Sequence, residues 1–198
     1  MITPAEKLSE YERKRDFSKT SEPSGRELAR LFGDGDWHFV VQRHRATRLH
    51  YDLRLEIDGV MVSWAVPKGP CMDPKIRRMA IHVEDHPLDY SDFEGVIPKG
   101  EYGAGDVIVW DNGTWTVDSE GTPIEQFANG ELHLNMSGQK IRGRFMLIKT
   151  DRTQADANQW LMFKKKGDDA VAGWDTEAYP QSVLSGRTND DVNGEATP

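Results

Sequence analysis

Four side chains able to bind a metal ion or a phosphate fall within eleven residues: His44, His50, Asp52 and Arg54. Side chains two positions apart on a β-strand share a face, roughly 6.6 to 7 Å apart, so His50 and Asp52 can converge on one ion. His44 can return to the same ion across the intervening segment. Two imidazoles and a carboxylate without a thiolate suit Mn²⁺, Fe²⁺ or Zn²⁺. Arg54 adds a planar cationic fork for phosphate oxygens.

A less specific interpretation of these residues stays open. A polar strand face is also typical of a solvated sheet surface. His82 and His86 share a strand face as well, and they form a rival pair for the metal. We interpret His38, His82 and His133 as structural histidines. The residues alone therefore support a metal site without excluding ordinary surface polarity.

The strand that carries the candidate ligands alternates strictly between apolar and polar side chains. Tyr51, Leu53, Leu55 and Ile57 fall on one face, and the polar residues between them fall on the other. The apolar face must contact the core. The polar row is therefore predicted to form a surface crescent on the outside of the sheet.

Further strands follow along the chain, separated by glycine-rich turns. Asp58-Gly59 predicts a tight hairpin turn, and Asn112-Gly113 predicts a second one. Segments such as "VMVSWAV", "ELHLNM" and "GRFMLIKT" have the composition of strands. With little helix between them, they predict an antiparallel sheet that closes as a barrel or folds as a sandwich.

The 198 residues divide by composition into an arm, a body and a tail. Residues 1–35 form a polar arm with a short helix predicted over "GRELARLF", where Ser24 and Glu27 match a capping box. Residues 36–166 carry the strand pattern of the barrel domain. Residues 167–198 are acidic and poor in apolar side chains, which predicts a flexible extension.

The net charge of −8 is concentrated in the tail. Seven acidic side chains and one basic side chain give residues 167–198 a charge of −6, which leaves −2 for residues 1–166. Four arginines cluster between positions 43 and 54 of that near-neutral body. Such a local cluster can contact phosphates even though the whole chain is acidic.

Several classes of protein are disfavoured by what the sequence lacks. Cys71 is the only cysteine, which excludes an intrachain disulfide and a zinc site built from several cysteines. The sequence contains no P-loop, Rossmann fingerprint or G-x-S-x-G elbow. No apolar run has the length of a membrane span or of a signal peptide, so we expect a cytoplasmic protein without a membrane partner.

Long strings of the sequence closely resemble the 3'-phosphoesterase domain of bacterial DNA ligase D. They are "YERKRDFSKTSEPSG", "QRHRATRLHYDLRLEIDG", "SWAVPKGP" and "VEDHPLDYSDFEGVIPKGEYGAGDVIVWD". The resemblance runs from about residue 10 to residue 165. It implies a mainly β fold, an antiparallel eight-stranded barrel with the active site on its outer surface, flanked by a short N-terminal helix and flexible extensions.

The same resemblance implies roles for individual residues. Manganese, or another divalent ion, would be bound by His44, His50 and Asp52. The scissile phosphate would be held by the catalytic residues Arg54, His86 and Tyr90. Supporting or substrate-binding positions would be Arg15, Asp16, Glu22, Lys68, Arg78 and Glu84.

The implied activity is a hydrolase that heals DNA 3' ends. The family removes a 3'-terminal ribonucleoside as a phosphodiesterase and then the 3'-phosphate as a phosphomonoesterase, leaving a 3'-hydroxyl for ligation in non-homologous end joining. Its partners would be DNA or RNA-tailed DNA 3' ends, with a separate ligase, polymerase or end-binding protein. Because the sequence contains neither a ligase nor a polymerase module, the chain is either a stand-alone phosphoesterase or a fragment.

Two functions from other classes stay open. One is a metal-dependent module that binds DNA ends without catalysis and serves as an adaptor for a ligase. The other is a non-haem iron oxygenase, because two histidines and one carboxylate also match its facial triad. That alternative predicts oxygen-dependent activity and a site inside the barrel.

Overall fold

The computed structural model of the protein describes residues 3–25, 36–150 and 158–194. The strands in these ranges are β1 (Trp37–Arg45), β2 (Leu49–Ile57), β3 (Val60–Val66), β4 (Arg77–His82), β5 (Gly95–Ile97), β6 (Gly105–Val117), β7 (Glu131–Gly138), β8 (Arg142–Lys149) and β9 (Gln159–Lys164). The helices are α1 (Pro4–Lys7), α2 (Ser9–Arg13), α3 (Pro123–Asn129), α4 (Asn189–Gly194) and two 3₁₀ segments, Leu88–Asp92 and Thr176–Ala178. Among the described residues, no helix has the length and apolar character needed to cross a membrane.

Eight of these strands close into an antiparallel barrel. Neighbouring strands follow the order β1-β2-β3-β4-β9-β8-β7-β6, and β6 pairs with β1 to close the ring. The short strand β5 pairs with the beginning of β6. The prediction of a mainly β fold with an antiparallel eight-stranded barrel is confirmed.

Large apolar side chains fill the interior of the barrel. Leu53, Leu55 and Ile57 of β2 are fully buried there and belong to one cluster with Trp64 and Trp115. Because side chains alternate along a strand, the intervening polar residues of β2 face the outer wall. The alternation of the sequence thus placed the polar row on the correct side of the sheet.

A second apolar layer covers part of the outer wall. Tyr11 from the arm clusters with Tyr90 and Ile97 over the start of β6. The predicted exposed crescent is therefore wrong in one respect, because the side chains of Asp52 and Arg54 are only 9% and 4% exposed. The site lies on the outside of the barrel, but the arm and the segment that carries Tyr90 fold over it.

The two predicted hairpin turns differ in outcome. Asp58 and Gly59 link β2 to β3 with φ angles of 50° and 82°, as a tight turn of this type requires. The prediction of a turn at Asn112-Gly113 is wrong, because β6 continues through both residues. A Cβ atom at Gly113 would lie 2.0 Å from the Ser137 carbonyl oxygen, so this glycine permits a close approach of β6 and β7.

The arm begins with two short helices that the sequence analysis did not predict. Thr3 caps α1 because its hydroxyl accepts the Glu6 N–H and the Glu6 carboxylate accepts the Thr3 N–H. The predicted helix over "GRELARLF" spans residues 25–32, and residues 26–32 lie outside the described part of the chain.

The tail lies against the barrel wall, where the sequence analysis expected a flexible extension. Trp110 donates its indole N–H to the Tyr179 carbonyl at 2.6 Å. The Asn189 amide donates to the carbonyls of Arg43 and Asp106 at 3.2 and 2.9 Å. Composition does not reveal these contacts, because isolated polar and aromatic anchors hold a segment with few apolar residues. The division of the chain into arm, barrel and tail domains stays a prediction.

Candidate metal centre and phosphate-binding cleft

The three predicted metal ligands lie together near one end of the β1–β2 hairpin. The turn makes His44 and His50 cross-strand partners, and Asp52 follows two residues along the same face of β2. His44 Nδ1 and His50 Nε2 each lie 3.5 Å from an oxygen of the Asp52 carboxylate. One ligand atom from each residue lies within 4.8 Å of the other two. These donor types and distances fit one divalent cation.

Backbone carbonyls orient both histidine rings. His44 Nε2 lies 2.8 Å from the Gly103 carbonyl oxygen, and His50 Nδ1 lies 2.9 Å from that of Arg48. Because a carbonyl only accepts, these two nitrogens carry the protons. The other nitrogen of each ring faces Asp52 and is the one positioned to bind a metal ion. Such second-layer hydrogen bonds commonly fix the tautomers of metal-binding histidines.

The carboxylate of Asp52 is held in its ionised form. Burial by itself would raise its pKa, but the Arg54 guanidinium and the two histidines outweigh burial and hold the pKa well below the usual range. Arg54 Nη2 donates to the carboxylate at 3.1 Å. The third ligand is therefore negatively charged at neutral pH, as metal binding requires.

Arg54 is fixed by polar groups from neighbouring strands. Its Nε donates to Gln42 at 2.7 Å and its Nη1 donates to Ser63 at 3.0 Å. The guanidinium carbon lies 4.7 Å from the centre of the Tyr90 ring. These contacts and the bond to Asp52 use three of five N–H groups. A rigid, buried cation thus stands beside the metal ligands.

His86 is a neutral side chain in the same cleft. Its Nδ1 lies 2.9 Å from the Glu84 carbonyl oxygen and therefore carries the proton. Its Nε2 lies 3.2 Å from Arg15 Nη2 and accepts from it. Burial lowers the His86 pKa well below the usual value, and the charges of Arg54 and Arg15 lower it further.

Two buried carboxylates hold the arm against the cleft. Glu22 accepts from Arg15 at 2.8 Å and from the Tyr90 hydroxyl at 2.9 Å. Glu84 lies 3.4 Å from Arg15 and 3.1 Å from Lys14. The predicted supporting residues Arg15, Glu22 and Glu84 thus form one network that connects the arm to Tyr90.

Most of the side chains described so far line a cavity of about 350 Å³. We call this cavity the metal cleft. Eight of the predicted site residues line it, namely His44, His50, Asp52, Arg54, His86, Tyr90, Arg15 and Glu84.

Four predicted supporting residues do not line the metal cleft, and of these Glu22 contacts it only through Arg15 and Tyr90. The Asp16 carboxylate is 45% exposed and accepts from Ser18. Lys68 is exposed after the end of β3. Arg78 shares a strand face with Ala80, which packs in the barrel core, so its side chain starts from the opposite side of the wall. The supporting roles of Asp16, Lys68 and Arg78 stay predictions.

The rival histidine pair is separated in the structure. His82 packs against Trp64 and Phe127, with ring centres 5.4 Å apart in both cases, and does not line the metal cleft. In the described part of the chain, the one group of His, Cys, Asp or Glu side chains close enough to hold a metal is His44, His50 and Asp52.

Sequence reasoning missed several residues that build the cleft. Gln42 and Ser63 hold Arg54, and Gly103 orients His44. Their residue types carry no signal of metal or phosphate chemistry. Cross-strand register could have found Gln42 and Ser63, because they pair with Asp52 and Arg54 on the adjacent strands.

The fold and this site define a closed antiparallel β-barrel with a candidate metal and phosphate centre on its outer wall. The family model of the DNA ligase D 3'-phosphoesterase domain matches residues 42–149. That range contains the strands β2 to β8 and all three candidate metal ligands. The chain belongs to the DNA ligase D 3'-phosphoesterase domain family.

Three relatives show how far the similarity extends. The chain is 51% identical over 192 residues to the multifunctional non-homologous end joining protein LigD of Pseudomonas aeruginosa. The aligned region covers 96% of this chain and 22% of that protein. The chain is 48% identical over 162 residues to the corresponding Mycobacterium tuberculosis DNA repair protein, covering 82% and 20%. It is 45% identical over 166 residues to LigD of Mycolicibacterium smegmatis, covering 82% and 21%. The chain thus spans about one fifth of the length of these relatives.

Proposed function

We propose that this protein is a metal-dependent phosphoesterase that heals DNA 3' ends. In this proposal it removes a 3'-terminal ribonucleoside as a phosphodiesterase and a 3'-phosphate as a phosphomonoesterase, leaving a 3'-hydroxyl. The observation that carries the proposal is the placement of two buried arginines beside a His-His-Asp group in one cleft. Membership of the 3'-phosphoesterase family supports the same chemistry.

The residues of the metal group fit Mn²⁺ or another divalent cation. Two imidazole nitrogens and an ionised carboxylate converge in a largely buried site, which limits competition from water. A bound divalent ion would supply Lewis acidity toward a phosphoryl oxygen and lower the pKa of a bound water. His44, His50 and Asp52 would hold it.

The arginines and His86 act on the phosphate itself. Arg54 and Arg15 are fixed cations that offset the negative charge that builds on the phosphoryl oxygens. His86 is neutral and presents Nε2 as an acceptor, so it first accepts a hydrogen bond or a proton. It acts as general acid toward a leaving oxygen only after it has taken up that proton.

Tyr90 acts by positioning neighbouring side chains, and its hydroxyl does not ionise. Burial raises its pKa well above the usual value, so its hydroxyl stays protonated, and it donates to Glu22. Its ring lies against the Arg54 guanidinium. Tyr90 therefore keeps Arg54 and the Glu22–Arg15 pair at a fixed separation around the phosphate.

The same cleft argues against the two rival functions. An oxygenase needs an organic substrate beside its iron, whereas here two arginines lie within the cleft that adjoins the metal group. An adaptor needs no buried, neutral histidine bonded to one of those arginines. Participation in end joining, and any ligase, polymerase or end-binding partner, belong to the same proposal.

The experiment incubates the protein with Mn²⁺ and two labelled primers, one ending in a single ribonucleotide and one in a 3'-phosphate. We expect conversion of the first to a 3'-phosphate and of both to a 3'-hydroxyl. Retention of both primers in a binding assay without conversion would support the adaptor. Turnover that requires oxygen and Fe²⁺ would support the oxygenase, and either result would contradict the proposal.

The metal requirement is tested separately by Mn²⁺ titration calorimetry on the metal-free protein. We expect one site per chain that disappears in His50→Ala. The matched control is His133→Ala, because His133 is a partly exposed histidine on β7 bonded to Glu131. This readout does not depend on which substrate the protein cleaves.

A further inference from the structure

A second cavity, of about 480 Å³, lies next to the metal cleft. We call it the side pocket. The arm and the end of β4 form its walls, and Val83, Glu84 and Tyr102 line both cavities. The two cavities are therefore neighbours across a shared wall. The mechanism proposed above uses no residue that belongs to the side pocket alone.

The cations of the side pocket are compensated by carboxylates. Lys7 pairs with Asp58 at 2.5 Å, and Lys14 pairs with Glu10 at 2.9 Å and with Glu84 at 3.1 Å. Both lysines that line the pocket are thus already neutralised by carboxylates. A phosphate would find no uncompensated cation here, in contrast to the metal cleft. The pocket suits a polar ligand without charge.

Two side chains give the pocket the features of a site for an aromatic, hydrogen-bonding ligand. Tyr102 is 49% exposed and presents its ring at the boundary of the two cavities. The Asp85 carboxylate lines the pocket, and no hydrogen bond joins it to another residue of the described ranges. Ile81 adds an apolar surface that is 37% exposed.

The loop that carries Tyr102 also contributes to the metal group. The adjacent residue, Gly103, supplies the carbonyl that orients His44. Gly100, Gly103 and Gly105 have φ angles of 99°, 76° and 147°, which glycine adopts readily and which allow the loop to turn sharply. Tyr102 lines the metal cleft as well as the side pocket, so its ring lies next to any phosphate bound in the cleft.

We propose that the side pocket binds the terminal nucleoside attached to the scissile phosphate, with its base stacked on Tyr102 and a hydroxyl or amino group donating to Asp85. This inference rests on the proposed function. Every nucleotide further into the strand carries another phosphate, whereas the terminal nucleoside carries only the scissile one. A pocket without an uncompensated cation, beside a cationic cleft, matches that difference. Base stacking on an aromatic ring tolerates any base, so the pocket would accept all terminal nucleosides.

The test compares a diester and a monoester substrate, because only the diester has a terminal nucleoside beyond the phosphate. The variants are Tyr102→Ala, Tyr102→Phe and Asp85→Asn, with Glu120→Gln as a control at an exposed acid in the turn before α3. The quantity measured is kcat/KM for the ribonucleotide-ended primer divided by kcat/KM for the 3'-phosphate primer. Thermal melting confirms that each variant is folded.

We expect Tyr102→Ala to lower this ratio about 10-fold or more, mainly through KM for the diester. Tyr102→Phe keeps the ring and should restore the ratio, and Asp85→Asn should lower it to a smaller extent. Equal losses of kcat/KM on both substrates would show that Tyr102 only stabilises the metal group, and would overturn the inference. An unchanged ratio would overturn it as well.

A binding measurement separates this inference from the proposed function. Saturation-transfer NMR with free adenosine should show contact to the wild-type protein and a loss of contact in Tyr102→Ala. If wild-type protein cleaves neither primer but binds adenosine through Tyr102, the proposed function fails and the nucleoside pocket stands. If the wild type cleaves both primers and adenosine shows no Tyr102-dependent contact, the nucleoside pocket fails and the proposed function stands.

Discussion

Asp52 contacts both the metal-binding histidines and the phosphate-binding Arg54 of the metal cleft. Its carboxylate lies 3.5 Å from a nitrogen of each metal-binding histidine and 3.1 Å from Arg54. The same negative charge thus serves as a metal ligand and as the partner of a buried cation. Loss of that charge is expected to affect metal binding and stability together, because Arg54 then lacks its compensating charge.

We predict that Asp52→Asn weakens Mn²⁺ binding on the order of 100-fold and lowers the melting temperature. Asparagine keeps the volume of the side chain but removes the charge. Titration calorimetry measures the first effect and thermal melting the second. Asp118→Asn is the control, because Asp118 pairs with Lys165 away from the cleft. Unchanged Mn²⁺ affinity in Asp52→Asn would remove Asp52 from the metal group.

His86 tests the separation of the metal group from the phosphate group. We predict that His86→Ala retains Mn²⁺ binding and loses hydrolysis of both primers on the order of 100-fold, because His86 contacts Arg15 and none of the three metal ligands by hydrogen bond. His133→Ala should show neither effect. Loss of the metal in His86→Ala would show that the two groups act as one unit.

The metal ligands could be predicted from the sequence, but their supports could not. The spacing of His50 and Asp52 on one strand limits where their side chains lie, and the family resemblance adds the remaining residues of the cleft. Gln42, Ser63 and Gly103 contribute ordinary polar and backbone groups. Their importance arises only when β1, β3 and the loop before β6 come together around the arginine and the histidines.

At the scale of the secondary-structure elements, β6 shows why a local turn signal fails. Asn112-Gly113 has the residue preference of a tight hairpin turn. In the structure these residues pair with β1 instead, and Gly113 lies opposite Gly138 of β7. A hairpin turn and a close approach of two strands both call for glycine, so both produce the same sequence signal. The turn needs glycine for its backbone conformation, whereas the strand pair needs it because a side chain would not fit. Only the partner strand distinguishes them.

We predict that Gly113→Ala destabilises the barrel by about 1–3 kcal/mol, as overpacking in a tight region does. The added Cβ would meet the Ser137 carbonyl oxygen at 2.0 Å, so β6 and β7 must move apart. Chemical denaturation measures the loss. Gly194→Ala is the control, since a Cβ there has no neighbour within 4 Å. Equal stability of the two variants would contradict the close strand approach.

At the scale of the whole molecule, stability should depend on pH through His82. Burial, together with the charge of Lys149, lowers its pKa from 6.5 to about 4 in the folded protein. The unfolded chain therefore binds a proton between these values that the folded protein does not, so stability falls as the pH drops from 6.5 toward 4. Asp85 acts in the opposite direction, because burial raises its pKa to about 6.

A comparison of variants isolates the contribution of His82. We predict that His82→Phe loses less melting temperature than the wild type between pH 7 and pH 4.5, because phenylalanine keeps the contacts with Trp64 and Phe127 but does not titrate. His82 Nε2 is buried and has no hydrogen-bond partner in the described ranges, so the exchange removes no such bond. His133→Phe should follow the wild-type curve, and an identical curve for His82→Phe would contradict the assignment.

The tail contributes to the folded protein through anchors that its composition conceals. Lys164 of β9 is fully buried, and its ammonium donates to the Asp169 carboxylate at 2.9 Å. Thr176 is also buried and donates to the Pro70 carbonyl at 2.7 Å. Removal of residues 168–198 would leave the Lys164 charge without its carboxylate. The cost of an unpaired buried charge is about 3 kcal/mol or more.

We therefore predict that deletion of residues 168–198 lowers the melting temperature by about 6–12 °C, using 2–4 °C per kcal/mol for a chain of this size. Lys164→Met in the truncated protein should recover part of the loss, because it replaces the unpaired charge with an apolar side chain. The same substitution in the full chain should be less favourable, since Asp169 then lacks its partner. A truncated protein that melts with the wild type would show that the tail adds nothing to the barrel and that composition alone had described it correctly.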